Sequence, residues 1–156
     1  MAVTPDAPLE PGKLAPDFDL ETSTGERITR EEFRGKAGLV LVFFRWDPAI
    51  RPYLEGIADD ADEYSLIGSR VLAVTDIGRE ALRAALSWEL PFPLAADPDG
   101  RTWKAYTSQS DYAYAVFVLD MYGGVDSQKV VASIDELPDP KKVLEWSRGA
   151  QYRCNI

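Results

Sequence analysis

The residues best suited to chemistry lie directly after an apolar run, where Asp47 stands between two arginines, Arg45 and Arg51. A carboxylate in this setting can bind a ligand or act as a general base. The same carboxylate can instead cap a helix, because Asp is a preferred N-cap residue and Pro48 fits the first helical position. Capping is the simpler interpretation, and it stabilises a helix by about 1 kcal/mol without any chemistry.

The chain offers little thiol chemistry and no imidazole chemistry. Its 156 residues include one cysteine, Cys154, and no histidine. These counts exclude a Ser-His-Asp triad, a Cys-His pair, an internal disulfide and a zinc cage of histidines or several cysteines. Cys154 has only Arg153 as a basic sequence neighbour. It is a relocated redox thiol, an intermolecular bridge or an ordinary free thiol, and the last interpretation is the simplest one.

Two acidic patterns fail as metal sites. The acids at positions 59, 60, 62 and 63 are typical of a solvated helix face. The segment Asp97-Pro98-Asp99-Gly100 resembles part of a calcium loop, but Ala95 and Tyr106 stand where that loop needs further acids. The sequence therefore predicts no metal site and no cofactor.

Charge and hydropathy narrow the classes of partner. The net charge of −9 disfavours nucleic acid and anionic membrane surfaces, both of which are bound by Lys and Arg. The longest apolar run, residues 37–44, is far shorter than the roughly 20 residues that span a bilayer. The first ten residues have neither a basic start nor an apolar stretch, which predicts no signal peptide. We therefore expect a cytoplasmic protein whose partner is another protein or a small ligand.

The elements that must position Asp47 alternate between strands and helices, which predicts a mixed α/β domain. Residues 38–44 are apolar on both faces, as in a central parallel strand, and residues 71–74 predict a second buried strand. Apolar residues three and four apart predict one helix over residues 48–66, with a kink at Pro52. We expect residues 1–10 to form a flexible N-terminal arm and residues 11–156 to form a single domain.

Shorter signals complete the predicted element order. Thr29 and Glu32 have the spacing of a capping box and predict a short helix between them. Tyr112 and Tyr114 alternate on a predicted strand, which favours a packed aromatic face over a pocket wall. The remaining expectations are strands near 17–20, 27–28, 92–95, 112–119 and 129–133, the last two forming a hairpin, and helices over 79–88, 101–106 and 140–152.

Three stretches resemble, in order and spacing, the alkyl hydroperoxide reductase and thiol-specific antioxidant (peroxiredoxin) family. They are Leu14–Leu20 with the Gly25 turn, Phe33–Lys36 and Leu39–Phe44, then Phe92–Leu94 with Asp97–Gly100 and Trp103–Tyr106, then Phe117–Asp120 with Gly123-Gly124. The resemblance covers about residues 11–150. It implies a thioredoxin-like fold, with a central mixed β-sheet flanked by helices and an N-terminal extension, and an antioxidant oxidoreductase activity.

The resemblance also locates the thiols that this chain lacks. The family variant that fits best carries Phe-Phe-Arg and then Trp-Cys-Pro-x-Cys-Arg at the end of the first central strand. With a two-residue deletion after Arg45, Asp47 and Ile50 occupy the two cysteine places. Without the deletion, Ala49 and Pro52 stand there instead. Neither alignment supplies a thiol.

The arginine that the resemblance expects before the Phe117 segment, where the family binds peroxide, is also absent. Tyr114 or Ala115 occupies its place. Because both cysteine places hold other residues, we assign no catalytic residue. The candidate binding residues around the altered site are Arg45, Trp46, Asp47, Arg51 and Tyr114, and Cys154 is the redox candidate.

Three functions stay open at the level of the sequence. The favoured one is a redox-inactive binding or interaction module of peroxiredoxin-like fold, in which a homodimer is one expected assembly. The second is an antioxidant thiol peroxidase that uses Cys154, as the resemblance alone implies. The third is a non-redox enzyme that uses Asp47 beside Arg45, Arg51 or a tyrosine.

Overall fold

A computed structural model describes residues 7–154 of the chain, without the side chain of Cys154. Its strands form one seven-stranded sheet in the order β2-β1-β5-β4-β3-β6-β7. The strands are β1 (Asp19–Thr22), β2 (Arg27–Thr29), β3 (Gly38–Phe44), β4 (Ser69–Thr75), β5 (Leu94–Ala96), β6 (Tyr114–Leu119) and β7 (Val125–Val131). Strand β3 pairs parallel with β4 and antiparallel with β6, so the sheet is mixed as predicted.

Helices cover both faces of this sheet. They are α1 (Arg51–Ala58), α2 (Ala61–Leu66), α3 (Arg79–Leu82), α4 (Arg101–Thr107) and α5 (Pro140–Cys154), with 3-10 helices at Arg30–Glu32, Pro48–Ile50, Arg83–Trp88 and Ile134–Glu136. Side chains of α1, α2, α3 and α5 share one buried cluster with Val40, Val42 and Phe44. Side chains of α4 share the other cluster with Leu39, Leu41 and Phe43. Because successive residues of a strand point to opposite faces, every residue of β3 is buried.

The helix predicted over residues 48–66 consists of three segments. A 3-10 turn over Pro48–Ile50 precedes α1, and Pro52 lies in the first turn of α1, where a missing N–H breaks no helical bond. The kink expected at Pro52 is thus replaced by the change from 3-10 to α geometry. A second break, which the sequence did not predict, separates α1 from α2 at Asp59 and Asp60. Asp60 turns inward there, and its carboxylate accepts a hydrogen bond from Lys141 at 2.6 Å.

Three other boundaries differ from the predictions. The helix predicted over residues 79–88 continues after α3 as a 3-10 helix and ends at Glu89, which is left-handed with φ of 51°. The strand predicted over 129–133 runs instead over Val125–Val131, because pairing with β6 outweighs the low strand propensity of its polar first half. Tyr112 precedes β6 and packs with the α4 cluster, while Tyr114 packs in the opposite cluster, so the two tyrosines do not share a face.

The capping box and the hairpin were predicted correctly. At the start of the first 3-10 helix, the Thr29 side chain accepts the backbone N–H of Glu32, and the Glu32 side chain accepts the backbone N–H of Thr29. Strands β6 and β7 pair antiparallel. Residues 1–6 of the predicted N-terminal arm lie outside the described residues, and within residues 7–10 the Leu9 N–H donates to the carbonyl of Tyr106 at 2.9 Å. In the part of the chain that the structure describes, every helix is too short or too polar to cross a lipid bilayer.

Candidate functional site

Asp47 caps the first helical turn after β3. Its Oδ1 accepts a hydrogen bond from the N–H of Ala49 at 3.0 Å, and Pro48 occupies the first position of the 3-10 helix. This geometry confirms the predicted N-cap. Ile50, the other residue in a cysteine place, is fully buried in the core. In the alignment with the two-residue deletion, a half-buried carboxylate and a buried aliphatic side chain thus stand where the resemblance puts thiols.

Trp46 fixes the chain between β3 and that helix. Its backbone N–H donates to Oδ1 of Asp76 at 2.8 Å, which ties it to the residue after β4. Its indole ring stacks on Trp88 with a centroid separation of 5.5 Å and an interplanar angle of 2°. A stacked pair of this kind contributes about 1 kcal/mol beyond its buried area. The loop over residues 45–47 is therefore held on two sides.

The remaining candidates divide into one pair and one separate residue. The guanidinium carbon of Arg45 lies 5.9 Å from the ring centroid of Tyr114, within cation–π distance. Tyr114 is itself buried and faces Phe44 across the β3–β6 ladder. Arg51 instead forms an ion pair with Glu55 on its own helix, at 3.2 Å. The structure brings Arg45 and Tyr114 together and leaves Arg51 out of that contact.

A cavity of about 500 Å³ opens beside Arg45. It lies past the C-terminal ends of β3 and β4, and ligands of α/β proteins commonly bind at that end of the strands. Asp47 does not line it. Its lining residues are Arg45, Asp76, Pro98, Asp99, Gly100, Ser110, Asp111 and Tyr112. Of the residues that the sequence proposed for binding, this cavity uses only Arg45.

Asp97 supports the wall of this cavity and was not identified from the sequence as a site residue. It is buried, and its carboxylate accepts hydrogen bonds from the backbone N–H groups of Thr102 and Trp103 at 3.2 and 2.9 Å. The hydroxyl of Tyr112 donates a third bond at 3.1 Å. Burial raises the pKa of the Asp97 carboxyl, and the hydrogen bonds from Trp103, Thr102 and Tyr112 oppose that rise.

Tyr112 is held both at its hydroxyl, which binds Asp97, and at its ring. It stacks on Trp103 with centroids 4.8 Å apart, and burial together with the nearby Asp97 charge raises the pKa of its phenol well above the ordinary value. The only signal in the sequence was the turn at Asp97–Gly100 before a short helix, which does not reveal that the first acid folds inward. The cavity therefore has a rigid aromatic wall next to a charged rim.

A second cavity, of about 420 Å³, lies between β1, β2 and α4. Its charged rim pairs internally, with Arg27 bound to Asp19 at 2.8 Å and Arg79 bound to Glu21 at 3.2 Å. Among the described residues, no group of three or more His, Cys, Asp or Glu side chains is arranged to hold a metal ion. In the first cavity, by contrast, Arg45 has no carboxylate partner among residues 7–153.

The AhpC/TSA family model matches residues 11–128. The chain belongs to the AhpC/TSA family. Under either alignment of this family member, Asp47 with Ile50 or Ala49 with Pro52, no cysteine stands at the two expected places, and its one cysteine is at position 154. The identification agrees with the predicted family and with the predicted loss of both thiols.

Comparisons with known proteins place this AhpC/TSA member among thioredoxin-like proteins. The thioredoxin-like protein YneN of Bacillus subtilis (strain 168) is 25% identical over 96 residues, which are 59% of this chain and 56% of YneN. The chain thus matches about half the length of that curated relative.

Many solved structures share its fold, and two of them illustrate it. One is a putative thiol:disulfide interchange protein DsbE from Chlorobium tepidum, with a TM-score of 0.75, 23% identity, and coverage of 92% of this chain and 99% of that one. The other is a reduced 2-Cys peroxiredoxin from Plasmodium vivax, with a TM-score of 0.82, 18% identity, and coverage of 96% and 86%. The thioredoxin-like fold predicted from the sequence is confirmed.

Proposed function

We propose that this protein is a redox-inactive member of the AhpC/TSA family that acts by binding a ligand or a partner. The observation that supports this most directly is the Asp47 carboxylate, which accepts the N–H of Ala49 at the helix start where the resemblance places a thiol. Backbone N–H groups and the helix dipole favour an anion there, and a carboxylate satisfies them as a thiolate would. A carboxylate has no step equivalent to the oxidation of thiolate to sulfenate.

The position of Cys154 speaks against a replacement thiol. The Gln151 side chain donates to the carbonyls of Ile67 and Gly68, both at 3.0 Å, and Gly68 in turn accepts the N–H of Gly38. Gly38 begins β3, and Asp47 follows the other end of that strand. Seven residues of strand span roughly 20 Å. The end of α5 therefore lies near the N-terminal end of β3, whereas Asp47 follows the C-terminal end of that strand. The Cys154 side chain is outside the described part of the structure.

A peroxide assay tests this proposal. Hydrogen peroxide and an organic hydroperoxide would be offered with dithiothreitol, or with thioredoxin and its reductase, and consumption would be followed for the wild type and for Cys154→Ser. We expect both proteins to match the protein-free blank. Turnover by the wild type that Cys154→Ser abolishes would establish the antioxidant alternative and refute our proposal, and turnover by both proteins would refute it as well.

A second experiment tests the place assigned to the missing thiol. In a Cys154→Ser background, Asp47→Cys puts a thiol at the helix start, and we expect it to react with iodoacetamide near pH 7 faster than a free cysteine, because the helix start lowers a thiol pKa. Ile50→Cys is the matched control and should react slowly, since position 50 is fully buried. Equal rates for the two variants would contradict the assignment.

The third function considered from the sequence, a non-redox enzyme based on Asp47, has less support. The Asp47 Oδ1 is occupied by the helix N–H, and the residue does not line the cavity beside Arg45. A cytoplasmic location and a homodimer stay predictions. Fractionation of the native host cells tests the first, and light scattering coupled to gel filtration tests the second.

A further inference from the structure

Arg45 is unusual among the arginines that line the two large cavities. In the second cavity Arg27 and Arg79 each bind a carboxylate. Within residues 7–153, no carboxylate lies within 4.0 Å of the Arg45 guanidinium, although three aspartates line the same cavity. Its one described side-chain contact is the face of Tyr114. The positive charge of Arg45 is thus held at the cavity rim and is available to an incoming anion.

The carboxylates across the cavity are also available. Asp76 uses only Oδ1, which accepts the N–H of Trp46 and the hydroxyl of Thr75. Asp111 is anchored through its backbone carbonyl, which accepts the Trp103 indole N–H at 3.1 Å. Neither Asp76 Oδ2 nor the Asp111 carboxylate makes a hydrogen bond or ion pair with the described residues. Acceptors for a cation therefore lie in the same cavity as an unpaired guanidinium.

Tyr112 forms a rigid part of the lining of this cavity. The ring is stacked on Trp103 and its hydroxyl is bound to Asp97, so it lies fixed in the cavity lining with Arg45, Asp76 and Asp111. Since the guanidinium and the carboxylates do not pair with each other, a ligand with a negative group at one end and a positive group at the other can pair with both. Asp99 pairs with Arg101 at 3.6 Å, which leaves the two carboxylates of Asp76 and Asp111 with the one guanidinium of Arg45. An additional positive charge on the ligand is therefore favoured.

We propose that this cavity binds a small zwitterion of the basic amino-acid type. The ligand carboxylate would accept the N–H groups of Arg45, and its ammonium groups would donate to Asp76 and Asp111. This inference rests on the proposed binding function and names its ligand class. A purely anionic ligand is disfavoured by the aspartates, and a diamine leaves Arg45 unpaired beside a second cation.

Isothermal titration calorimetry of the full chain tests the ligand class. The probes are L-lysine, cadaverine, which has the same two ammonium groups on a five-carbon chain but no carboxylate, and L-glutamate. We expect L-lysine to bind at least about tenfold more tightly than cadaverine, because it alone forms charge-assisted bonds at both ends. We expect no binding of L-glutamate. Absence of L-lysine binding at millimolar concentration, or equal binding of L-lysine and cadaverine, would overturn the proposal.

Variants at the cavity sharpen this test. Arg45→Gln should weaken L-lysine about tenfold and leave cadaverine unchanged or tighter, and Asp111→Asn should weaken both ligands. The matched controls are Arg83→Gln and Asp135→Asn, exposed residues that do not line this cavity. If the controls weaken L-lysine as much as the cavity variants do, the site is misplaced and the proposal fails.

The outcome for the ligand class is separate from the outcome for the proposed function. If L-lysine does not bind and peroxide is not consumed, the ligand class is wrong and the redox-inactive assignment stands. If peroxide is consumed, the proposed function fails, whatever the calorimetry shows.

Discussion

Asp47 and Asp97 both accept backbone N–H groups at a helix start, but their surroundings differ. Asp47 is half-buried and receives one described hydrogen bond, from Ala49. Asp97 is 2% exposed and receives three, from Thr102, Trp103 and Tyr112. The first aspartate stands in a cysteine place of the family in the alignment with the two-residue deletion, and the second binds Tyr112 of the cavity lining.

This difference separates a substitution that the fold tolerates from a contact on which the fold depends. Replacing Asp47 removes one hydrogen bond that water can supply. Replacing Asp97 leaves two backbone donors and one phenol without their acceptor in the protein interior, and a buried unpaired donor costs more than the bond itself contributes. A change of residue at position 47 therefore leaves the fold intact, whereas the fold depends on Asp97 for its stability.

The largest expected effect follows from Asp97→Ala. We expect it to lower the free energy of unfolding by about 3 kcal/mol, because three donors lose a charged acceptor. Urea denaturation followed by far-UV circular dichroism measures this. Asp99→Ala is the control, since Asp99 is exposed and accepts one backbone N–H, from Arg101. Equal losses for the two variants would show that burial at Asp97 does not matter.

Asp97→Asn should cost less, about 2 kcal/mol, because the amide oxygen still accepts while its NH₂ group opposes one donor. It should also change how stability depends on pH. Burial raises the Asp97 carboxyl pKa, so the folded protein holds this proton to higher pH than the unfolded chain does. As pH rises through the window from the ordinary to the raised pKa, the Asp97 contribution to stability falls.

Urea denaturation at several pH values checks this sign. Relative to the wild type, Asp97→Asn should lose stability mainly at low pH and differ less above the window, because Asn cannot ionise. A difference between wild type and variant that does not change with pH would contradict the raised pKa.

Tyr112→Phe tests one donor at a time. The phenylalanine ring keeps the stack on Trp103 but removes the hydroxyl that Asp97 accepts, and we expect a loss of about 1.5 kcal/mol. Because that hydrogen bond lowers the Asp97 pKa, its removal should move the pH window upward. Tyr122→Phe is the control, since Tyr122 is exposed and its hydroxyl makes no hydrogen bond with the described residues.

The smallest expected effect is that of Asp47→Ala, about 1 kcal/mol, as for other N-cap residues. Asp47→Ser should recover most of this loss, because a serine hydroxyl can accept the same N–H. Thermal or urea denaturation distinguishes the two variants. If Ser is no more stable than Ala, the carboxylate of Asp47 has a role other than capping.

The central fold was predictable because its signals are local and strong. Residues 38–44 are apolar throughout and form β3 with those bounds, and the capping box at Thr29 and Glu32 forms as predicted. Element boundaries with weak local signals were predicted wrongly where contacts between distant parts of the sequence determine them. At the end of α1, Asp60 binds Lys141, which is 81 positions away in the sequence. Strand β7 starts at Val125 because β6 pairs with it.

The candidate site was predictable only in part. The cap at Asp47 follows from a residue preference and was foreseen. The contact between Arg45 and Tyr114 joins residues 69 positions apart, since Arg45 follows β3 and Tyr114 begins the neighbouring strand β6. The family alignment suggested both residues without suggesting that they touch. The inward turn of Asp97 was missed, because the same four residues serve an exposed turn equally well.

The amino-acid sequence by itself determined which chemistry is absent. Counts of cysteine and histidine do not depend on folding, the periodicity of apolar residues predicts an α/β domain, and the family resemblance implies the mixed sheet covered by helices. Only the tertiary structure decided which charges meet. Arg45, Asp76 and Asp111 come from separate segments, and their shared cavity exists because β3 and β4 end side by side while the turn before β6 packs against α4.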